Sequence, residues 1–587
     1  MAVTDATSDP RPVDQEKGPQ GANEIHTDTH AHSISDSDDD AGTRKQKGVE
    51  AVQAVTHVWT RKMMWLTFVL LWFLCFAANL LSSIEGALSP YITSYFEEHG
   101  LLAAISVTSR IVSGVFALAV GKYINLRGRM EGFIFGISLI IMGMIMKAAC
   151  QNIETYGAAQ VFYWVGHVNT LYIVDVFVAD ITTLRNRMLI FSLNSFSSLI
   201  TTFAGPPIAS AFYNELNFRW AFIVFVIVLV VFALPVIAIL WLNERKAKKA
   251  GILRAKSGRT VAESAKYYAI KFDIPGMLLL CGGWSMMLLP FSLVDTIAAG
   301  DWANSTIIGL IVGGAATLAV FGVWERFAPV QFFPFKLMQD RTVVGALCVY
   351  LIIFLSTFIW DAYYSSYLQV VHGLDIITAN YVLNAYSLTS YVMSPLIALV
   401  VRYTGEVKWT GMAGVPIYIL GTGLLVYFRT PDSYVGYLAM CQILVGFSTG
   451  VLVLTSQLAL MYSISQADVA IGLALYSLFG SIGSSAGFAV AGGMWTNILP
   501  YKIAEFLPES AKDQAATIYG SIEVQLSEPI GSPIRDAVIA AYGDVMHKMV
   551  IAGVCLIPLL VAAVIIWRGK NVKEVQEKER AQRGNIF

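Results

Sequence analysis

Blocks of about twenty apolar residues recur from residue 64 to residue 567, and they constrain this chain more than any other feature. A block of that length crosses roughly 30 Å of hydrocarbon as a helix. Fourteen blocks read as spans: 64–85, 101–122, 131–150, 157–179, 188–211, 220–242, 273–295, 304–325, 343–366, 379–401, 410–428, 435–461, 471–494 and 548–567. Charged residues make up 14% of the chain and hydrophobic ones 56%, whereas a soluble domain carries about 25% charged residues. The expected class is an all-α polytopic membrane protein.

Charge placement orients it. An even number of spans puts both termini on one side. The loops on that side hold Lys122, Arg127, Arg129, Arg185, Arg187, the run from Arg245 to Arg259, Arg326, Lys336, Arg341, Arg402 and Lys408. The opposite loops hold few cations, among them Lys147, Arg219 and Arg429. Basic residues stay inside, so both termini are expected in the cytosol. The segment 497–547 is then the only large outer loop. Its AKDQAATIYGSIEVQL and IRDAVIAAYGDVMHKM read as short amphipathic helices. It either caps an entrance or simply connects two spans.

Residues 1–58, with DSDDDAGTRKQKG, lack apolar periodicity and read as a disordered cytosolic tail. The polar residues after Met1 give the expectation of no cleavable signal peptide. His26, His30 and His32 could ligate a metal, but in such a tail a solvated linker is the better reading. The six cysteines fall in or beside apolar blocks and suggest neither disulfides nor a metal site. HExxH, haem-spaced histidines and paired catalytic acids are absent, so an enzyme is not expected.

The loop after the second span reads GKYINLRGRME. It resembles the G-x-x-x-D-R-x-G-R-R loop of the major facilitator superfamily through Gly121, Gly128 and Arg129. Asn125 replaces the acid and Met130 the last base. A degenerate copy, VVRYTGEVK at 400–408, follows the tenth span. Twelve-helix members carry it after the eighth, so two spans are inserted between the halves. The resulting plan is 6 + 2 + 6 helices: an N-terminal bundle at 59–243, a basic linker at 244–271, two extra helices at 272–326, a C-terminal bundle at 327–567 and a cytosolic tail at 568–587. QVFYWVGHVNTLYIVDVFVADITTLRNR (160–187) and WDAYYSSYLQVVHGLDIITANYV (360–382) resemble the fourth- and ninth-helix signatures of fungal siderophore-iron transporters.

That resemblance implies a monomeric plasma-membrane importer of a ferric hydroxamate siderophore, of the triacetylfusarinine C kind. It implies alternating access driven by the proton gradient, with no resident cofactor and no nucleic-acid partner. Iron travels inside the siderophore, so the protein needs no metal ligands. Such cargo is bulky, neutral and carbonyl-rich. It calls for a roomy cavity of aromatic and amide side chains rather than an arginine clamp. The alternative is a fourteen-helix drug/proton efflux antiporter. The two signatures favour import, and TTFAGPPIAS in the fifth span lacks the closing Gly-Gly of the antiporter motif. A transport-like nutrient receptor would use the same cavity.

Intramembrane charge marks the candidate residues, because an unpaired one costs ~2.5–3.5 kcal/mol. For coupling or gating they are Glu85, Arg110, Asp175, Asp180 and Arg129. Arg110 is expected to pair with Glu85 or Asp175, and Asp180 with the Arg185–Arg187 loop. For substrate binding they are Tyr163, Tyr172, Asp361, Tyr364, Tyr367, Asn384, Tyr391 and Gln457. The competing reading of WDAYYSSYLQ is an interfacial aromatic belt.

Overall fold

Nearly every apolar block extends as a helix beyond its hydrophobic core. In the computed structural model, residues 61–96, 101–181, 184–249, 261–298, 301–465 and 468–575 are described. The acidic tail with its three histidines lies outside them. Among the described residues, thirteen helices are long and apolar enough to cross a membrane. The remaining expected span is the 32-residue helix Leu184–Glu215. Ser192, Ser197, Ser198, Thr201 and Thr202 dilute its apolar character.

The N-terminal half comprises α1 (Arg61–Tyr95), α2 (Leu102–Arg127), α3 (Arg129–Ala149), α4 (Ile153–Ile181), α5 (Leu184–Glu215) and α6 (Phe218–Lys249). A short helix, α7 (Val261–Phe272), precedes the inserted pair α8 (Ile274–Ala298) and α9 (Ser305–Phe327). The C-terminal half comprises α10 (Arg341–Asp361), α11 (Tyr364–His372), α12 (Ile376–Thr404), α13 (Lys408–Phe428), α14 (Val435–Ser463), α15 (Val469–Phe506), α18 (Pro533–Val554) and α19 (Ile557–Ile565). Two single-turn helices, α16 (Ala515–Gly520) and α17 (Ile522–Ser527), lie in the loop before α18.

Within the first half α1 packs on α5 and α6, and α3 and α2 both pack on α4. Within the second, α14 packs on α10, α12 and α13. The halves meet along α2 against α15 and α5 against α12, while the α8–α9 hairpin leans through α8 on α2 and α15. This is the expected 6 + 2 + 6 plan.

Small residues set the closest approaches. A Cβ on Gly143 of α3 would stand 2.5 Å from the Tyr163 nitrogen of α4. Gly483 and Gly487 of α15 likewise lie against the α10 backbone at Leu351 and Leu355, so that GxxxG pair is a packing seam. On the outside of α6, Ile227, Val231 and Leu234 are each about 60% exposed. Their i, i+4, i+7 spacing makes an apolar stripe suited to lipid.

Three boundaries differ from expectation. The first span continues ten residues past Glu85, through Pro90, to Tyr95, so Glu85 is not a helix-end acid. The last helix starts at Pro533 rather than 548, with Gly531 in the left-handed region (φ 87°) and Ser532 capping the Arg535 nitrogen at 3.1 Å. IRDAVIAAYGDVMHKM therefore belongs to a membrane helix. Because α15 also runs on to Phe506, stopped by Pro508, the non-membrane connection shrinks to residues 507–532. The third difference is in the ninth span, which breaks at Ala362–Tyr363 into α10 and α11.

Candidate functional site

A cavity of about 190 Å³ lies where the halves meet. The N-terminal half lines it with Glu85 and Ser89 of α1, Ser106 and Arg110 of α2, and Gln160 and Trp164 of α4. The C-terminal half supplies Phe358 and Asp361 of α10, Ser365 of α11, Leu383 of α12 and Phe488 of α15. The broken helix gives this wall its shape. Discontinuous helices are a recurrent way to present backbone polarity inside a membrane protein.

The charges in and behind the walls are arranged unevenly. Glu85 accepts a hydrogen bond from Lys147 of α3 at 2.6 Å, and both side chains are buried, at 3% and 0% exposure. Lys147 Nζ also stands 3.8 Å from the Tyr163 ring centroid, a cation–π contact in a dry setting. Arg110, expected to pair with Glu85 or Asp175, instead lays its guanidinium 3.8 Å from the Trp164 ring centroid and 5.6 Å from that of Phe358. Lys147 was read from sequence as a loop cation. It lies in the last turn of α3, one turn past Gly143, where that glycine lets α4 close over it.

On the other wall Asp361 opens onto the cavity, with the Gln442 amide beside its carboxylate. Beside it lies Arg429, the residue that ends α13, wholly buried. Its Nη1 donates to the Trp360 carbonyl, at the helix break, at 2.7 Å. Its guanidinium sits 3.8 Å from the Tyr364 ring centroid. Sequence reasoning assigned Arg429 no role, since a cation at a helix end defaults to the interface.

The remaining candidates divide. Tyr364 and Tyr367 are fully buried within the C-terminal half, not on the cavity wall; they stack on each other at 6.1 Å. Tyr163 backs the wall through Lys147. Tyr172 is not among the cavity-lining residues and donates to the Ala470 carbonyl of α15 at 2.8 Å, joining the halves near the motif loop. Asn384 donates to the Asn380 carbonyl at 2.9 Å. Asn384, Tyr391, Gln457 and Asp175 are half-buried and outside the cavity lining. The Asp180, Arg185 and Arg187 side chains lie outside the described residues. Arg129 donates to the Ile124 carbonyl at 2.8 Å, across a turn where Gly128 takes φ 117°, a value that favours glycine. The motif thus locks α2 to α3. In its second copy, Lys408 Nζ bonds the Trp567 carbonyl at 2.7 Å and the Ile565 carbonyl at 3.1 Å, anchoring the end of α19.

The face opposite the motif loops is bridged by residues 507–532. The Ile522 nitrogen donates to Ser94 Oγ at 3.3 Å and Tyr213 bonds Glu523, both reaching the N-terminal half. Arg535, 2% exposed, bonds the carbonyls of Gln525 and, on α11, of Val370 at 2.9 Å and Gln369 at 3.3 Å. Tyr91 of α1 bonds the Gln369 side chain directly. Contacts between the halves thus lie on both sides of the cavity. Among the described residues no cluster of His, Cys, Asp and Glu suits a metal ion.

Two helical bundles meeting around a cavity at their interface define the fold of a membrane carrier. Solved structures support that fold. A peptide transporter POT in complex with sulfate aligns with TM-score 0.52 at 14% identity, covering 86% of this chain and 96% of that one. A bacterial homologue of the lysosomal transporter Spinster aligns with TM-score 0.51 at 12% identity, covering 89% and 99%. The Major Facilitator Superfamily model matches residues 158–488. An MFS siderochrome iron transporter 1 of Ajellomyces capsulatus is 46% identical over 94% of this chain and 95% of its own length. The siderophore iron transporter mirB of Emericella nidulans is 38% identical over 91% and 88%. The chain belongs to the siderophore-iron transporter family of the major facilitator superfamily. It is a transporter and not an enzyme.

Proposed function

We propose that this chain imports a ferric hydroxamate siderophore, of the triacetylfusarinine C kind, across the plasma membrane together with protons. The observation that carries the reading is the make-up of the cavity. Trp164, Phe358 and Phe488 give it aromatic walls, Gln160 an amide, and Ser89, Ser106 and Ser365 hydroxyls. Glu85 is already paired with Lys147, and the other two charges of the wall, Arg110 and Asp361, are of opposite sign, so the wall is polar without a strong net charge. That suits neutral, carbonyl-rich cargo carrying its own iron. The names of the relatives point the same way. At about 190 Å³ the cavity is smaller than the ~300–1,000 Å³ of a drug-sized site, so cargo enters only after the halves part on one side. The motif loops and both termini face the cytosol in this reading, residues 507–532 face outward, and one chain suffices for the cycle.

The test is uptake of radiolabelled ferric siderophores by cells lacking their own carriers, with and without a protonophore. Accumulation that collapses with the protonophore is expected. No uptake of any ferric hydroxamate overturns the substrate reading, and protonophore-insensitive accumulation overturns the coupling.

A further inference from the structure

The two halves carry the same charge arrangement in different states. In the N-terminal half a carboxylate on the first helix, Glu85, meets a cation in the last turn of the third, Lys147, and the pair is closed at 2.6 Å. In the C-terminal half the corresponding groups are Asp361, ending α10, and Arg429, ending α13. That pair is open. Arg429 is wholly buried, yet only Nη1 has an oxygen partner; Nε and Nη2 have no hydrogen-bond partner. The Tyr364 hydroxyl and the Gln442 amide stand beside the two charged groups without hydrogen-bond alignment. Met546 Sγ, 3.9 Å from Nη1, is a weak acceptor at best. A buried guanidinium with unused donors is costly unless another conformer fills them. The carboxylate that can do so is one peptide away from the carbonyl Arg429 already holds. It sits at the helix break, where a small change in backbone dihedrals redirects the side chain.

We propose that Arg429 is a positioning residue for transport. In a conformer other than this one it takes Asp361 off the cavity wall into an ion pair that mirrors Lys147–Glu85. In this conformer Asp361 faces the cavity and Nε and Nη2 of Arg429 stand idle. The switch removes a negative charge from the cavity at one stage of the cycle and returns it at another. This rests on the transport reading above.

The test compares Asp361→Asn, Arg429→Gln, Arg429→Lys and the exchange Asp361→Arg/Arg429→Asp with the two halves of that exchange made singly. Membrane expression is quantified for each. Two quantities are read in the same cells: accumulation of labelled ferric siderophore, and exchange of preloaded label against unlabelled siderophore. Asp361→Asn and Arg429→Gln should each lose roughly tenfold or more in accumulation, and Arg429→Gln, off the cavity wall, should keep exchange. Arg429→Lys should fall between Arg429→Gln and wild type. The exchange variant should accumulate better than either of its halves, or recover expression that both have lost. Wild-type accumulation in the neutralised variants, or an exchange variant no better than its worse half, overturns the proposal. Wild-type protein that moves no siderophore refutes the transport reading instead.

Discussion

Replacing Glu85 with glutamine should destabilise the protein more than replacing Lys147 with methionine, and the double variant should be more stable than Glu85→Gln alone. Removing one member of a buried pair costs about 3–5 kcal/mol, because the other charge is left uncompensated. Glu85→Gln strands Lys147, which is 0% exposed. The Tyr163 ring 3.8 Å from Nζ offsets about 1–2 kcal/mol of that, leaving roughly 1–4 kcal/mol. Lys147→Met strands Glu85 instead. Glu85 lines the cavity, so water admitted there can solvate its carboxylate, and the loss should stay near or below ~2 kcal/mol. Exchanging both for neutral side chains of similar volume is close to neutral. With the double variant near neutral, the coupling equals the sum of the two single losses, about 1–6 kcal/mol. Thermal unfolding of detergent-purified protein gives the order of wild type and the three variants, and SDS titration gives the coupling. Additive losses, or a Glu85→Gln protein as stable as wild type, would refute this account of the pair.

Three further perturbations address the gates and the packing. Tyr172→Phe removes the bond to the Ala470 carbonyl, worth about 0.5–1.5 kcal/mol. It should speed alkylation of a cysteine placed at Ala474, which lies against Gly121; an unchanged rate sinks the gating role. Arg535→Met leaves the carbonyls of Gln369, Val370 and Gln525 without that donor, and should raise the rate of limited proteolysis within 507–532, whereas unaltered cleavage would mean other contacts hold the segment. Gly143→Leu drives a side chain into the α4 backbone and should abolish the monodisperse peak in size-exclusion chromatography. Gly86→Ala, where a Cβ meets nothing within 4 Å, should not.

The membrane architecture was legible because it depends on length and apolarity, which a sequence states directly. The cytosolic-type turn at Gly128–Arg129 was legible for a related reason: a glycine at φ 117° and a cation reaching the Ile124 carbonyl are local features. The partners of the buried charges were not legible. Lys147 and Arg429 both end helices, where long cationic side chains ordinarily snorkel to the interface. Only the packing of a second helix over each shows that they point inward. Arg110 was correctly read as facing protein, but its neighbour proved to be the ring of Trp164 rather than an acid. Nothing in one-dimensional spacing separates an ion pair from a cation–π contact.

The stretch WDAYYSSYLQ makes the limit concrete. Treated as one continuous helix, i, i+4, i+7 spacing puts Trp360, Tyr364 and Tyr367 on one face, with Asp361 beside Tyr364 at i, i+3. The chain breaks at Ala362–Tyr363, where Tyr363 takes φ −113° and ψ 15°, and the register is lost. Asp361 stays on the cavity wall with Ser365, while Tyr364 and Tyr367 turn into the C-terminal half, one of them beneath Arg429. No proline or glycine marks the break. Its local stabilisers are tertiary: Arg429 holds the Trp360 carbonyl, and Tyr363 stacks on Trp495 at 4.0 Å with an interplanar angle of 2°. The ninth span is therefore shaped by residues about 70 and 130 positions away. This is also why the aromatic-belt reading does not describe Tyr364 and Tyr367. Belt tyrosines keep their hydroxyls in water, whereas both of these are fully buried with hydroxyls lacking a hydrogen-bond partner. Unused polar atoms placed beside an unpaired guanidinium fit a region that must rearrange during the cycle better than one built only to anchor a helix in lipid.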